Sequence, residues 1–350
     1  MDASSPYRFG SFLYVTGGDD YPNNSLYRYG AGLKPPVLVA HPAVNGKLLS
    51  IRKVPYGTVI VMEASSVNVP SLRTEITLYD SEKKIEFRYD LKKDRVLNRE
   101  SAYFAFPFQA DRPSFTYATQ NGFVNPAKDE LPGGSRDWYI ATPWAAVSSQ
   151  DFSASVVPVD APLVTFGDIM RGLWPTEFKP KTGTIFSWVM NNYWGTNFPA
   201  WQGGSYTFRY IVSSAPTLDP DSLARSGQEA VTPLESAQMP ASLESSQLPS
   251  DHASLLTIDN DAVLLTTWKL AENGHGSIIR LVETAGKEQK VSVKSDYIQF
   301  RQAWRCSLLE DNESDIAVQD GALSLTMRPF EILTLRLETT PKIAVQAAAE

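Results

Sequence analysis

Strict two-residue alternation around a short polar turn constrains this chain most. Ile85, Phe87, Tyr89 and Leu91 interleave with Glu86, Arg88 and Asp90, the period of a strand with one buried face. Thr74–Tyr79 behaves similarly, and the intervening Asp80-Ser81-Glu82-Lys83 closes a hairpin. The same reading places strands at Thr58–Met62, Ser101–Phe106, Thr184–Met190 and Tyr206–Val212. Prolines, at 24, outnumber the 21 glycines, which favours many turns and discourages long helices. An all-β chain of packed antiparallel strands follows.

At 350 residues about two domains are expected. Ser213–Ala253 has no Phe, Tyr or Trp and is rich in Ser, Pro, Ala and Glu, which reads as a linker. Within it, Asp219-Pro220 starts a short helix through Leu223 and Ala224. Beyond it, strands are expected at Ala262–Thr267, Ser277–Thr284, Lys290–Val293, Tyr297–Phe300, Arg305–Glu310, Ala322–Met327 and Ile332–Leu337. The expected partition is a large β domain over 1–212, a linker over 213–253, a small β-sandwich over 254–340 and a tail over 341–350.

A net charge of −7, with no Lys/Arg cluster, argues against nucleic acid. No apolar run reaches the length of a membrane span, so no membrane partner is expected. The single cysteine, Cys306, reads as core filler. Asn23-Asn24-Ser25 and Asn312-Glu313-Ser314 fit the glycosylation pattern. The three histidines, His41, His252 and His275, lack the close spacing of a metal motif. His41, before Pro42, is expected in a turn, and His275 in a hairpin loop. No metal site and no cofactor is predicted within the chain. There is no Gly-x-Ser-x-Gly elbow and no phosphate loop. No catalytic residue is assigned. Asp168 is a candidate ligand carboxylate, with Glu177 close behind; it reads equally as a turn-holding aspartate. Asp19 and Asp20 carry the same two readings.

Asn191–Gly204 carries the sharpest chemical signal. It combines Asn191, Asn192, Tyr193, Trp194, Asn197, Trp201 and Gln202 with glycines and has no charge. Aromatic faces stack on the apolar faces of sugar rings, and amides both donate to and accept from hydroxyls. The alternative is a loop that packs its rings and ties itself together through its amides.

These blocks together resemble the C-terminal β region of family 38 glycoside hydrolases, the α-mannosidases. The resemblance rests on Val189–Phe198, Gln202-Gly203-Gly204, Phe208-Arg209-Tyr210, Glu100–Phe108, Asp160–Asp168, Gly276–Gly286 and Arg328–Leu335, in the family's order. It implies a large galactose-mutarotase-like super-β-sandwich followed by a smaller β-sandwich. It also implies a catalytic domain, N-terminal to this region and missing here, that holds the catalytic aspartate and the zinc. The expected role is to pack against that domain and wall its sugar cleft, with a mannoside-type carbohydrate as candidate partner. Asn191, Asn192, Tyr193, Trp194, Asn197 and Asp168 are the expected cleft residues. A stand-alone carbohydrate-binding module is the alternative. An epimerase or lyase on the same scaffold is a weaker one.

Overall fold

The computed structural model describes residues 1–18, 37–172, 175–193, 201–238 and 252–342. Trp194, Asn197, Asp19, Asp20, the Asn23-Asn24-Ser25 triplet and the tail from 343 lie outside the described residues. Two compact units are formed, Met1–Asp219 with Ser226–Thr232, and Pro220–Arg225 with Pro233–Glu350. Strands dominate both. Among the described residues no helix is long and apolar enough to cross a membrane.

The first unit runs β1 (Ser11–Gly17), β2 (Leu38–Pro42), β3 (Val44–Val54), β4 (Gly57–Ser66), β5 (Val69–Tyr79), β6 (Lys84–Lys93), β7 (Glu100–Phe108) and β8 (Ser114–Thr119). It continues with β9 (Gly122–Val124), β10 (Tyr139–Ile140), β11 (Ala145–Ser148), β12 (Ser153–Pro158), β13 (Leu163–Phe166), β14 (Gly183–Asn191) and β15 (Gly204–Ala215). Two antiparallel sheets result, a six-stranded one ordered β10-β13-β14-β7-β1-β2 and a nine-stranded one ordered β3-β4-β5-β6-β15-β12-β11-β8-β9. The predicted hairpin is β5–β6, with Ile76 opposite Phe87.

The core between the sheets is aromatic. Phe12, Tyr14, Phe104 and Phe106 from the six-stranded sheet meet Phe87, Tyr89 and Tyr210 from the nine-stranded one. The phenols among them need partners in an apolar interior: Tyr89 Oη donates to Gly10 O at 2.6 Å and Tyr210 Oη to Ser187 Oγ at 3.0 Å. Every residue of β7 is buried. Ala102, Phe104, Phe106 and Phe108 face the inter-sheet core, while Tyr103 and Ala105 join a second cluster on the opposite face. That outer cluster brings in Ile169, Met170 and Tyr193 from the connections beside β13 and β14. Hence β7 reads as continuously apolar from Ala102 to Phe108 rather than alternating.

One ion pair is sealed inside this unit. Lys93 and Glu100 side chains are 1% and 2% exposed. Glu100 also accepts from Tyr14 Oη, which accepts in turn from Asn68 Nδ2 at 2.8 Å. Lys93 Nζ further donates to Asp94 O at 3.1 Å. Each charge thus has hydrogen bonds beyond its partner, the condition under which a buried pair persists.

After β15 in sequence comes α1 (Pro220–Val231), starting at the proline singled out above and extending beyond Ala224. The second unit holds β16 (Thr257–Ile258), β17 (Val263–Leu270), β18 (Ser277–Glu283), β19 (Gln289–Lys294), β20 (Ile298–Cys306), β21 (Asn312–Ile316), β22 (Val318–Gln319), β23 (Ala322–Met327) and β24 (Ile332–Pro341). Its sheets are ordered β16-β19-β23-β22 and β17-β18-β24-β20-β21. They enclose an aliphatic core that includes Ile279, Leu281, Val293, Leu323, Leu335 and Leu337. Arg336 is buried, with no carboxylate bonded to it among the described residues. Its guanidinium donates to Asn312 Oδ1 at 2.9 Å, Asn273 Oδ1 at 3.0 Å, Glu310 O at 2.7 Å and His275 O.

Two local expectations are corrected. Tyr297–Phe300 and Arg305–Glu310 are not separate strands. One strand, β20, runs to Cys306, and Ser307–Glu310 is a turn in which Ser307 Oγ accepts from Leu309 N and Asp311 N, each at 3.2 Å. The side-chain oxygen competes with the ladder for those amides. His41 lies in β2 rather than in a turn, paired with Tyr14 and with its Nε2 2.8 Å from Thr16 Oγ1. β2 is an edge strand, where a terminal proline is tolerated.

Lys93→Met alone leaves the Glu100 carboxylate inside without its cation and is expected to cost roughly 3–5 kcal/mol of stability. Lys93→Met combined with Glu100→Leu is expected to recover part of that loss. Urea denaturation of both variants checks this, and an equal or larger loss in the double variant would refute the coupling.

Candidate functional site

The connection from β13 to β14 begins with Gly167, whose φ of +80° and closeness to Pro180, 2.8 Å from where a Cβ would sit, admit only glycine. The chain then folds around Asp168. Thr165 Oγ1 donates to Asp168 O at 2.7 Å and Ile169 N donates to Asp168 Oδ1 at 2.8 Å. Arg171 closes on the same carboxylate through Nε at 2.8 Å and Nη2 at 3.3 Å. Ile169 and Met170 are thereby driven into the outer cluster beneath. Of the two readings of Asp168, the turn-holding one describes every hydrogen bond it makes here.

Asp168 and Arg171 also stand on a cleft of about 480 Å³, with Tyr7, Phe166, Phe178 and Lys181 among its lining. The Tyr7 ring packs edge-on against Phe186 at 5.5 Å. Burial first, and then the Asp168 charge, push the Tyr7 phenol above its ordinary range. Glu177 lines the same cleft but is ion-paired to Lys179, which holds its carboxyl below the usual range. A general acid needs the opposite shift. The cleft therefore has donors, acceptors and rings suited to a polar ligand, with Asp168 and Glu177 committed to neighbouring cations.

Asn191 ends β14 opposite Ser101. Its Oδ1 is buried and has no hydrogen-bond partner among the described residues, as are Trp188 Nε1 and Gln202 Oε1. Asn192 is structural. Its N donates to Glu100 O at 2.7 Å, and its Nδ2 to Asn98 O at 3.1 Å, tying the 94–99 turn to the end of β14. Tyr193 packs in the outer cluster with Ile169 and Met170. Asp168 and Tyr193 thus border one patch on the outer side of the six-stranded sheet. Trp194 and Asn197, outside the described residues, are not placed. Trp201 carries the Arg95 guanidinium 4.4 Å over its ring. Arg171, Tyr7 and Phe178 carried no motif that would have marked them in sequence.

The three histidines give no metal cluster, and among the described residues no three His, Cys, Asp or Glu side chains come together as a ligand set.

In the second unit the Gly276–Gly286 and Arg328–Leu335 blocks form one clamp. Glu283, fully buried, accepts from Ala285 N at 2.8 Å, Gly286 N at 2.9 Å and Phe330 N at 2.8 Å. Glu331 accepts from Arg305 Nη1 at 2.7 Å and Arg328 N at 2.7 Å. Burial raises the Glu331 pKa, but these hydrogen bonds outweigh it and hold the carboxyl below 4.5. Gly286 has φ +68°, and a Cβ there would lie 2.6 Å from the Phe330 ring.

This clamp lies inside the part of the chain with a family match. Residues 262–335 match the glycosyl hydrolases family 38 C-terminal beta sandwich domain. Among curated proteins none matches the sequence. Two solved structures share the fold over 94% of this chain. One is an alpha-mannosidase from Enterococcus faecalis V583, with TM-score 0.66, 12% identity and 38% of its own chain covered. The other is a glycosyl hydrolase family 38 protein from Enterococcus faecalis, with TM-score 0.66, 13% identity and 40% covered. The likeness to a putative aldose 1-epimerase from Escherichia coli K12, with TM-score 0.28, 9% identity, 49% of this chain and 69% of that one covered, is too weak to define the scaffold. The chain thus carries a family 38-like C-terminal β region and spans about two fifths of the length of these two structures.

Gly286→Ala is expected to cost about 1–3 kcal/mol through its positive φ, with the Phe330 contact adding to it. A thermal melt unchanged from the parent protein would contradict the clamp. Glu331 contributes stability that is present above pH 4.5 and is lost as pH falls through its depressed folded value. Glu331→Gln is accordingly expected to flatten the acid limb of the second unit's stability profile, measured by chemical denaturation between pH 3 and 6.

Proposed function

We propose that this chain is the non-catalytic β portion of an α-mannosidase-like glycoside hydrolase, packing against a catalytic module and walling its sugar cleft. The observation that carries this is the coverage: nearly all of this chain aligns with only 38–40% of two family 38 structures. The patch bordered by Asp168 and Tyr193 supports it. Asn191, Asn192, Tyr193, Trp194, Asn197 and Asp168 are proposed to face that module. The proposal routes no catalytic step through this chain's own residues, and zinc would be held by the catalytic module.

The purified chain is therefore expected to show no turnover of an aryl α-mannoside with or without added zinc. Zinc-dependent turnover would overturn the proposal.

A second reading, a stand-alone carbohydrate-binding module, is favoured by the cleft of Tyr7, Phe178, Asp168 and Arg171. It requires that mannose or mannan change tryptophan fluorescence saturably and that Tyr7→Ala abolish the change. No response would remove it.

A further inference from the structure

The cleft beside Asp168 belongs to the first unit alone, its lining drawn from between Ser5 and Phe186. At about 480 Å³ it falls within the roughly 300–1,000 Å³ of small-molecule sites. Its charge balance is the reverse of the chain's. The whole sequence carries −7, yet the lining sets Arg136, Arg171, Lys179 and Lys181 against Asp137, Asp168 and Glu177. Two of these acids are closed within the lining, Asp168 by Arg171 at 2.8 Å and Glu177 by Lys179. Asp137 is then the one remaining acid of the lining, against two cations. Arg136 is half-buried and donates through Nη1 to Pro126 O at 2.6 Å, a neutral acceptor, and among the described residues no carboxylate pairs with it. Its charge reaches into the cleft. After the hydrogen bond and charge of Lys179, the Arg136 guanidinium also holds the Glu177 carboxyl below its ordinary range. Lys181 is exposed, and among the described residues its Nζ has neither a hydrogen bond nor an ion pair. The backbone N of Lys181 lies 3.4 Å from where a Gly167 Cβ would stand, at the floor that only glycine permits.

We infer that this cleft takes an anionic sugar, a phosphorylated monosaccharide or a sugar acid, with Lys181 and Arg136 as the groups that receive its anion. The inference rests on the second reading above for the sugar and goes beyond it in fixing the ligand's charge. A neutral sugar leaves both cations without a counter-charge, whereas a phosphate or carboxylate forms charge-assisted hydrogen bonds with each. The two supply different geometries, a planar fork from the guanidinium and a point charge from the ammonium. The lining around them is suited to the rest of such a ligand. The Asp168–Arg171 and Glu177–Lys179 pairs offer acceptors and donors to hydroxyls, and Tyr7 and Phe178 add aromatic surface for the apolar face of a sugar ring. Because Asp168 and Glu177 are already neutralised by their own cations, they oppose an incoming anion less than their number suggests.

Titration calorimetry of the whole chain with glucose-6-phosphate and glucuronate, against neutral glucose, mannose and inorganic phosphate, tests the inference. At least one of the two anionic sugars is expected to bind saturably and more than roughly 10-fold tighter than either neutral sugar or inorganic phosphate, a gap that one charge-assisted hydrogen bond supplies. That affinity is expected to fall as sodium chloride is raised. Lys181→Glu, at an exposed position, and Arg136→Gln are each expected to weaken it more than roughly 10-fold, while Lys128→Glu, outside the cleft, leaves it intact. If Arg136→Gln fails to fold, Lys181→Glu and the salt series decide. Binding of glucuronate alone assigns a carboxylate and binding of glucose-6-phosphate alone a phosphate, and each supports the inference. No binding of either anionic sugar, equal binding of inorganic phosphate, affinity that survives Lys181→Glu, or an equal loss with Lys128→Glu would overturn it. Mannose bound as tightly as the anionic sugars would also overturn it while sustaining the second reading. Anionic sugars bound without any response to mannose would remove the neutral-sugar reading and leave this one standing.

Discussion

The burial of β7 on both faces is the constraint on which the first unit depends. A sheet strand ordinarily chooses one wet face, and β7 has none. Its Phe104 and Phe106 knit the two sheets together, while Tyr103 and Ala105 require a cover on the opposite side. That cover comes from Ile169 and Met170, and from Tyr193 after β14. The segments that form the candidate site are therefore held where they are by the hydrophobic demand of the central strand. Asp168 is bonded by the amide of Ile169, which is buried beside it, and by Arg171.

Charges are handled in the two units by different means. In the first, Lys93 and Glu100 neutralise each other inside, with Tyr14 and Asn68 completing the network. In the second, Glu283 has no cation bonded to it among the described residues and relies on three backbone amides. Such an arrangement ties the ends of β18 and β24, distant in sequence but neighbours in the sheet, to one carboxylate. In this unit the sequence blocks that resemble family 38 supply both the carboxylate and the amides of that arrangement.

Much of the fold was legible because period-two alternation survives wherever one face is wet, as in β5 and β6. It fails where both faces are buried. Ser101–Phe106 was recognised as a strand, but nothing in it indicated that two separate cores meet there. Short strands such as β9, β10 and β22 carry too few residues to show a period. The turn at Ser307 was lost because Leu308 and Leu309, both exposed, mimic a continuing strand. At the candidate site, Asp168 was legible as a carboxylate between glycines, but its partner Arg171 and the ring of Tyr7 were not. Tyr7 comes from a segment more than 150 residues away in sequence, and a single aromatic residue carries no period. The amides of Asn191 and Asn192 look alike in sequence, yet the second donates to the 94–99 segment while the oxygen of the first has no partner among the described residues.

The guanidinium of Arg336 has a consequence for how this protein can vary. It is bonded by oxygens from Asn273, His275, Glu310 and Asn312, so two loops far apart in sequence share one anchor. Neither loop can be lengthened, shortened or exchanged for a foreign one without regard to the other, since each must still present an oxygen at its own side of the same planar fork. Grafting new binding loops at that end of the second unit would have to treat 271–276 and 307–312 as a single cassette, inherited or replaced together.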